Sequence, residues 1–121
     1  MTDKKIAGEK EKLIKKEVKR ITTILSGIDE NKLAAVRSVI ENAAFMSVSM
    51  KELQTLINEK GYTCEYDSGK QTGKKKTPEF DAYIAMSKNH AAAIKLLSDL
   101  APPKERKRSS LQEMLLRGGE D

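Results

Sequence analysis

Apolar residues recur at helical spacing in three stretches of this chain, which glycine, proline and lysine-rich segments separate. In the first stretch the spacings alternate between four and three residues, a heptad-like pattern typical of helices that pack on one another. This seam consists of Ile14, Val18, Ile21, Leu25 and Ile28. It predicts a first helix over about residues 5–26.

The second apolar stripe predicts a helix that begins near Asp29, a good N-cap, and ends at Lys60-Gly61. The stripe contains Leu33, Val36, Ile40, Ala43, Met50, Leu53 and Ile57. Ser47-Val48-Ser49 is a poor helical run, and the capping-box pattern that starts at Ser49 leaves a break there open. Because the stripe stays in phase across the serines, we favour one unbroken helix.

Residues 61–77 hold three glycines and four lysines and predict an exposed loop, mobile over residues 73–76. Residues 62–66 alternate weakly, which leaves a short extended piece open. Thr77 as N-cap and Pro78 in the first turn then predict a third helix that runs to Leu100. A proline pair at 102–103 ends it.

The last part of the chain combines a basic run at residues 104–108 with a second capping box at residues 110–113. The box predicts a short amphipathic helix that is too short to be stable alone. We therefore expect its apolar residues to dock on a partner, with Leu111, Met114 and Leu115 as the contact residues.

Together these patterns predict an all-α protein. It has a basic amphipathic N-terminal helix (residues 1–28), a long antiparallel helical hairpin joined by a Lys/Gly-rich loop (29–100) and a basic linker with a short C-terminal helix or tail (101–121). Only 38% of the residues are hydrophobic, 4% are aromatic and 34% are charged. Such a chain can bury only a modest core, so we expect further burial between subunits.

The sequence offers little for catalysis. One His, one Cys and no clustered carboxylates cannot assemble a zinc site or a Cys–His nucleophile in one chain. We therefore predict no enzymatic activity, no metal and no cofactor, and interpret His90 as a packing or interface residue. The single Cys64, and the lack of a signal peptide or membrane-length apolar run, predict a soluble intracellular protein that binds no membrane.

The positive charge is clustered. Residues 1–20 hold eight basic and four acidic side chains, and residues 70–100 hold six basic and three acidic ones. Clustered lysines attract polyanions through counterion release, without reading a sequence. The candidate DNA-binding residues are Lys10, Lys12, Lys15, Lys16, Lys19 and Arg20, followed by Lys74, Lys75 and Lys76.

Over about residues 30–108 the chain resembles the small terminase subunit of tailed bacteriophages. The resemblance rests on the order of a long helix ending in Gly61-Tyr62, a lysine-rich linker, the Thr77-Pro78 restart and the segment Lys95–Leu100 followed by prolines and Lys104-Glu105-Arg106. It implies a helical, non-catalytic protein that assembles into a ring. It also implies binding of double-stranded viral DNA and its delivery to the large terminase subunit, which holds the ATPase and nuclease.

The resemblance places the protein in the cytoplasm of the infected bacterium rather than in the virion. The family's central hairpin falls on Leu33–Ile57 and Phe80–Leu100, and we expect subunit contacts there and on the seam. The candidate interface residues are Ile14, Val18, Ile21, Leu25, Ala91, Ile94 and Leu97.

Two other functions remain open at this point. One is a helix-turn-helix transcription regulator whose recognition helix, residues 50–60, follows a break at the serines; that segment is charge-balanced and has no arginine for guanine. The other is a helical adaptor that does not bind DNA, in which the lysines serve only solvation.

Overall fold

The computed structural model of the chain describes residues 2–100 and 114–117, with side chains described from residue 7 onward. The elements are α1 (Thr2–Ile24), α2 (Glu30–Ala35), α3 (Arg37–Lys60), β1 (Thr63–Asp67), β2 (Thr72–Lys76) and α4 (Pro78–Asp99). α3 packs against both α1 and α4, so the predicted mostly helical, bundle-like architecture is confirmed. None of the helices in the described ranges combines the length and hydropathy that a membrane span requires.

The core lies where the three long helices meet. α1 contributes Ile21, the turn directly after it contributes Leu25, and α4 contributes Ile94 and Leu97; all four side chains are at most 1% exposed. α3 contributes Ile40 with the alanine pair Ala43 and Ala44, both of which are 0% exposed. Small residues at such a contact let helix backbones approach closely. The seam of α1 therefore packs within its own chain.

The chain bends at Val36, between α2 and α3. The prediction of one unbroken helix over residues 29–60 is wrong there, since Val36 has φ −105° and ψ 13°, away from helical values. The backbone hydrogen bonds nevertheless continue, because the Val36 amide donates to the carbonyls of Lys32 and Leu33 and the Val36 carbonyl accepts from the Ile40 amide. β-branched residues are weak helix formers, and both Leu33 and Val36 pack against the core at this bend.

The serines at 47–49 do not interrupt α3, as we expected from the phase of the apolar stripe. Ser47 and Ser49 are buried instead, and the Ser49 hydroxyl has no hydrogen-bond partner among the residues that the structure describes. The predicted N-terminus of α4 is also confirmed. The Thr77 Oγ1 accepts a hydrogen bond of 3.3 Å from the Phe80 amide, and Pro78 occupies the first turn.

The segment between α3 and α4 is an antiparallel β-ribbon formed by β1 and β2, so the purely helical class and the mobile Lys/Gly-rich loop are corrected. Its register pairs Thr63 with Lys76 and Asp67 with Thr72. At the tip, Gly69 has φ +89° and its amide donates to the Asp67 carboxylate at 2.8 Å. This local turn closes the ribbon. Residues 74–76, predicted as mobile, form β2.

The C-terminal turn, residues 114–117, lies against the bundle. Residues 114–116 are helical, and Leu115 is 0% exposed within the core cluster. Leu111, the proline stop and the basic run at residues 104–108 lie outside the described residues.

We expect Ile94→Asp to unfold the single chain rather than only separate subunits, because Ile94 is 0% exposed within one protomer. An unpaired buried carboxylate costs on the order of 5 kcal/mol or more, comparable with the whole stability of a small domain. Circular dichroism at 222 nm should show most of the helical signal lost at 25 °C. The control is Leu96→Asp on the same helix, where the leucine is 46% exposed and little change is expected. Retention of native helicity by Ile94→Asp would contradict this placement of the core.

Candidate nucleic-acid interface

Four lysines form one face of α1. Lys12, Lys15, Lys16 and Lys19 follow the spacing i, i+3, i+4, i+7, which places their side chains together on a helix, and all four are exposed. The buried seam residue Ile21 lies on the opposite side of the same helix. We call these four residues the lysine face; packing of the seam turns this face outward.

Lys10 contacts α3. Its ammonium is 2.9 Å from the Glu52 carboxylate and 4.7 Å from the centre of the Phe45 ring. An ion pair and a cation–π contact of this kind join the N-terminal half of α1 to α3. Lys10, a predicted DNA-binding residue, is thereby engaged within the chain.

Arg20 is engaged as well. Its guanidinium binds the Glu17 carboxylate through Nε at 2.9 Å and Nη2 at 2.8 Å, and it donates to the carbonyls of Met114 at 2.7 Å and Leu115 at 3.1 Å. Arg20 therefore joins α1 to the C-terminal turn. We leave it out of the candidate DNA surface, because these hydrogen bonds use four of its five N–H donors within the chain.

Glu17 is not among the residues that the sequence pattern singled out. In the structure it is 2% exposed. A signal was present in its position: Ile14, Glu17 and Ile21 share the spacing i, i+3, i+7, so Glu17 lies beside the seam. A carboxylate on the apolar side of a helix requires a partner, and Arg20 is three residues further along.

The lysines of the ribbon alternate between its two faces. Lys74 and Lys76 share one face, where Lys74 pairs across the strands with Glu65 and Lys76 with Thr63. Lys75 lies on the other face, opposite Cys64. On that face the Tyr66 ring packs over Gly73, where an added Cβ would come within 3.2 Å of the ring. The ribbon is therefore basic but partly neutralised by its own carboxylates.

The base of the ribbon is held by a neck of contacts between α3 and α4. The Thr77 amide donates to the Tyr62 carbonyl at 2.9 Å, and its hydroxyl donates to the Gly61 carbonyl at 3.0 Å. The Tyr62 and Phe80 rings meet edge to face at 4.9 Å. Lys60 also binds Glu79 at 2.9 Å, and this hydrogen bond lowers the pKa of the Glu79 carboxyl.

The predicted interface residues divide into two groups. Ile21, Leu25, Ile94 and Leu97 are buried inside the single chain and are not available to another subunit in this conformation. Ile14 and Val18 are half-buried, and Ala91 is exposed. Val18 also lines an open cleft of about 630 Å³ between α1 and the α2–α3 bend, together with Thr22, Leu33 and Arg37.

The predicted docking residues of the C-terminal helix are similarly divided. Leu115 is buried in its own chain's core, whereas Met114 is half-buried. Within residues 7–100 and 114–117, no group of three or more His, Cys, Asp or Glu side chains is arranged to hold a metal ion.

Comparison with protein families, with curated proteins and with solved structures finds no match for this chain.

His90 lies on α4 next to the Glu17–Arg20 pair and is 6% exposed. Burial lowers the pKa of its imidazole below the ordinary 6.5; the Glu17 carboxylate opposes this shift and the Arg20 guanidinium adds to it. Lys51, Tyr83 and Arg117 line the cavity beside it. The imidazole is therefore neutral in the folded chain at pH 7, as a packing residue would be.

We expect the free energy of unfolding to decrease as the pH is lowered from about 7 to about 5, by no more than about 1.4 kcal/mol per pH unit for one proton. The lowered pKa means that the unfolded chain binds this proton more tightly. The stabilisation that comes from burying His90 in its neutral form is therefore fully present above the ordinary pKa, and it is lost progressively as the pH falls below that value. Urea unfolding at each pH measures the effect. Since the chain has one His, His90→Gln should remove this pH dependence of the free energy of unfolding. An unchanged slope in that variant would contradict the assignment.

Proposed function

We propose that this chain is a non-catalytic DNA-binding protein, a small terminase subunit that binds double-stranded viral DNA and presents it to the large terminase subunit for packaging. The lysine face of α1 carries this proposal. It is exposed over two helical turns while the seam on the other side of the helix is buried. The same sequence pattern thus supplies both the fold and a basic surface.

The lysine face suits the phosphate backbone of a duplex. Lys12 to Lys19 spans seven residues, or about 10 Å along the helix axis. A duplex carries about six phosphates over that length. Lysine is a point charge without a fixed hydrogen-bonding fork, so we expect the contact to be electrostatic and largely independent of sequence.

The ribbon is the second surface in this proposal. A two-stranded ribbon has dimensions that the DNA major groove admits, and Lys70, Lys74, Lys75 and Lys76 add positive charge along it. Residues 63–76 hold these four lysines against Glu65 and Asp67, a smaller surplus for their length than the lysine face carries. The neck holds the ribbon at the end of the α3–α4 hairpin. We therefore rank it after the lysine face.

The assignment to the terminase small subunit, rather than to DNA-binding proteins in general, is supported by the order of elements in the sequence. The protein would act in the cytoplasm of the infected host, without a cofactor of its own, and the large subunit would supply the ATPase and nuclease. The helix-turn-helix alternative requires a turn at the serines, and α3 passes through residues 47–49 without one. The adaptor alternative differs from the proposed function in predicting that the chain does not retain DNA.

Self-association is part of the proposal. Since four of the predicted interface residues are used inside the protomer, the remaining candidates are Ile14, Val18 and Ala91. The cleft between α1 and the α2–α3 bend has apolar side chains from Val18, Leu33 and Ile40. We propose that a second copy of the chain covers this cleft in a ring.

Substitution of the lysine face should weaken DNA binding through lost counterion release. For Lys12→Ala with Lys15→Ala, we expect the slope of log K against log salt concentration to decrease in magnitude by about 0.9 for each lysine removed. Fluorescence anisotropy with a labelled duplex at several salt concentrations measures this slope. Alanine preserves helix propensity, so helicity should not change.

The matched control is Lys88→Ala with Lys95→Ala, two exposed lysines on α4, which should leave the slope unchanged. The triple variant of the ribbon, Lys74→Ala with Lys75→Ala and Lys76→Ala, should lower the magnitude of the slope by less per lysine than the α1 pair does. A wild-type chain that does not retain duplex DNA in low salt would overturn the proposed function and favour the adaptor. An unchanged slope in the α1 pair would show that the lysine face is not the DNA-binding surface.

The purified chain should form a ring of many subunits, and native mass spectrometry measures the mass directly. Val18→Glu should reduce the assembly by placing a charge at the edge of the cleft, while Ala85→Glu, at an exposed position on α4, serves as the control. A monomer at micromolar concentration in the wild type would contradict the ring.

A further inference from the structure

A cavity of about 330 Å³ lies between α3 and α4, and the C-terminal turn borders it. This volume is at the lower end of the range for small-ligand sites in proteins. Donor and cationic side chains line it from all three elements: Lys51 from α3, Tyr83, Ser87 and His90 from α4, and Arg117 from the turn. Among the residues that the structure describes, no Asp or Glu lines this cavity.

The two cations at the cavity have no partner of opposite charge. Lys51 and Arg117 are both exposed, and neither makes an ion pair or a side-chain hydrogen bond with any described residue. By contrast, Lys10 and Arg20 are each bound to a carboxylate of the chain. Positive charges that line a concave surface without acidic neighbours raise the local concentration of anions. The charge at this cavity is therefore available to a ligand.

His90 forms the buried wall of the cavity. It is 6% exposed, and its imidazole makes no hydrogen bond with a described residue. Within the described part of the chain, Ser49 Oγ is the only fully buried side-chain nitrogen or oxygen without a partner, so the His90 nitrogens remain open to the cavity. A neutral imidazole carries one N–H donor. Whichever nitrogen holds the proton, that donor has no partner within the described residues.

Two hydroxyl groups on α4 add further donors. Tyr83 Oη accepts a hydrogen bond of 3.1 Å from Gln54 Nε2, which leaves its own proton to donate. Tyr83, Ser87 and His90 follow the spacing i, i+4, i+7, which places them on one side of the helix. A phosphate group carries about −1.5 to −2 charges at pH 7 and has three strong acceptor oxygens. Two cations with several uncharged donors match that chemistry.

We propose that this cavity binds the terminal phosphate group of a small ligand, with Lys51 and Arg117 as the charged contacts and Tyr83, Ser87 and His90 as the hydrogen-bond donors. Inorganic phosphate and a nucleotide both offer such a group. A phosphate inside a duplex does not, because it cannot leave the surface of the double helix to reach a buried imidazole. The site lies outside the lysine face of α1 and does not rest on the proposed function.

Nuclear magnetic resonance of the full chain tests this proposal. His90 is the only histidine, so its Hε1 resonance reports on this cavity alone. We expect inorganic phosphate and adenosine monophosphate, at about pH 7.5, each to shift the resonance saturably; the lower Kd shows whether the phosphate arrives free or on a nucleoside. Sodium chloride at the same ionic strength should not produce a saturable shift.

Bound phosphate should also raise the pKa of His90, because a nearby anion favours the imidazolium form. The other charged groups beside this ring are Glu17 and Arg20 of α1, with Lys51 and Arg117 at the cavity. They are present with and without phosphate, so the difference between the two titrations isolates the ligand.

Lys51→Gln with Arg117→Gln removes both charges at exposed positions and should raise the Kd for phosphate by about tenfold or more. Circular dichroism should show unchanged helicity. The matched control is Lys88→Gln, an exposed lysine of α4 outside the cavity, which should leave the Kd unchanged. Tyr83→Phe removes one hydroxyl and should raise the Kd by a smaller factor than the double variant.

A resonance that moves no further with phosphate than with sodium chloride would overturn the proposal, as would an unchanged Kd in the double variant. A duplex without terminal phosphates should leave the resonance in place. If the duplex shifts it as phosphate does, the cavity belongs to the DNA surface and is not a separate site. The phosphate titrations contain no DNA, so their failure is distinct from that of the proposed function.

Discussion

The structure depends on the burial of the α1 seam against α3 and α4 within one chain. Ile21 of α1 and Leu25, just after that helix, meet Ile94 and Leu97 from α4 in a single core, with the alanine pair of α3 among them. For a chain with so few aromatic residues, close approach at those alanines supplies packing that larger side chains would otherwise provide. Disruption of this contact would separate α1 from the rest of the bundle. The lysine face would then no longer have a fixed orientation.

That constraint determines which lysines of α1 form an outward-facing basic surface. Once the seam is turned inward, residues at the spacing of Lys12, Lys15, Lys16 and Lys19 face outward as a group. Residues between the two faces are used to join elements: Lys10 binds Glu52 on α3, and Arg20 binds the C-terminal turn. Charge along α1 is therefore divided between an exposed surface and connections to other elements, and Lys16 lies at the border, where it also lines the cleft between α1 and α3. Net charge alone does not reveal this division.

Much of the helical fold could be predicted from the sequence because its signals are local and repeated. The seam of α1, the continuity of α3 through Ser47–Ser49 and the Thr77–Pro78 start of α4 each follow from spacing or capping. Weak alternation left an extended piece open at residues 62–66, where β1 lies, but the second strand and the pairing were not predicted. The strands have no apolar face: their residues are mostly exposed, and backbone pairing with the Tyr66–Gly73 contact defines the ribbon. Four of the seven residues assigned to the subunit interface are buried by the protomer itself. Apolar spacing shows that a helix packs, but not whether its partner is in the same chain.

The two basic surfaces differ in kind, and this difference bears on how a duplex would be held. The lysine face is part of a helix whose orientation the core fixes, and a group of like charges there favours the uniform phosphate backbone. The ribbon interleaves lysines with Glu65 and Asp67, so it carries both donors and acceptors. Base edges in the major groove also present donors and acceptors, and a mixed surface can distinguish them where lysines alone cannot. Within the proposed function, α1 would then provide affinity and the ribbon discrimination. The neck supports this division, because hydrogen bonds from Thr77 to Tyr62 and Gly61 hold the ribbon in a defined direction from α3 and α4. A group that reads base edges needs such a fixed direction, whereas one that contacts phosphates tolerates movement.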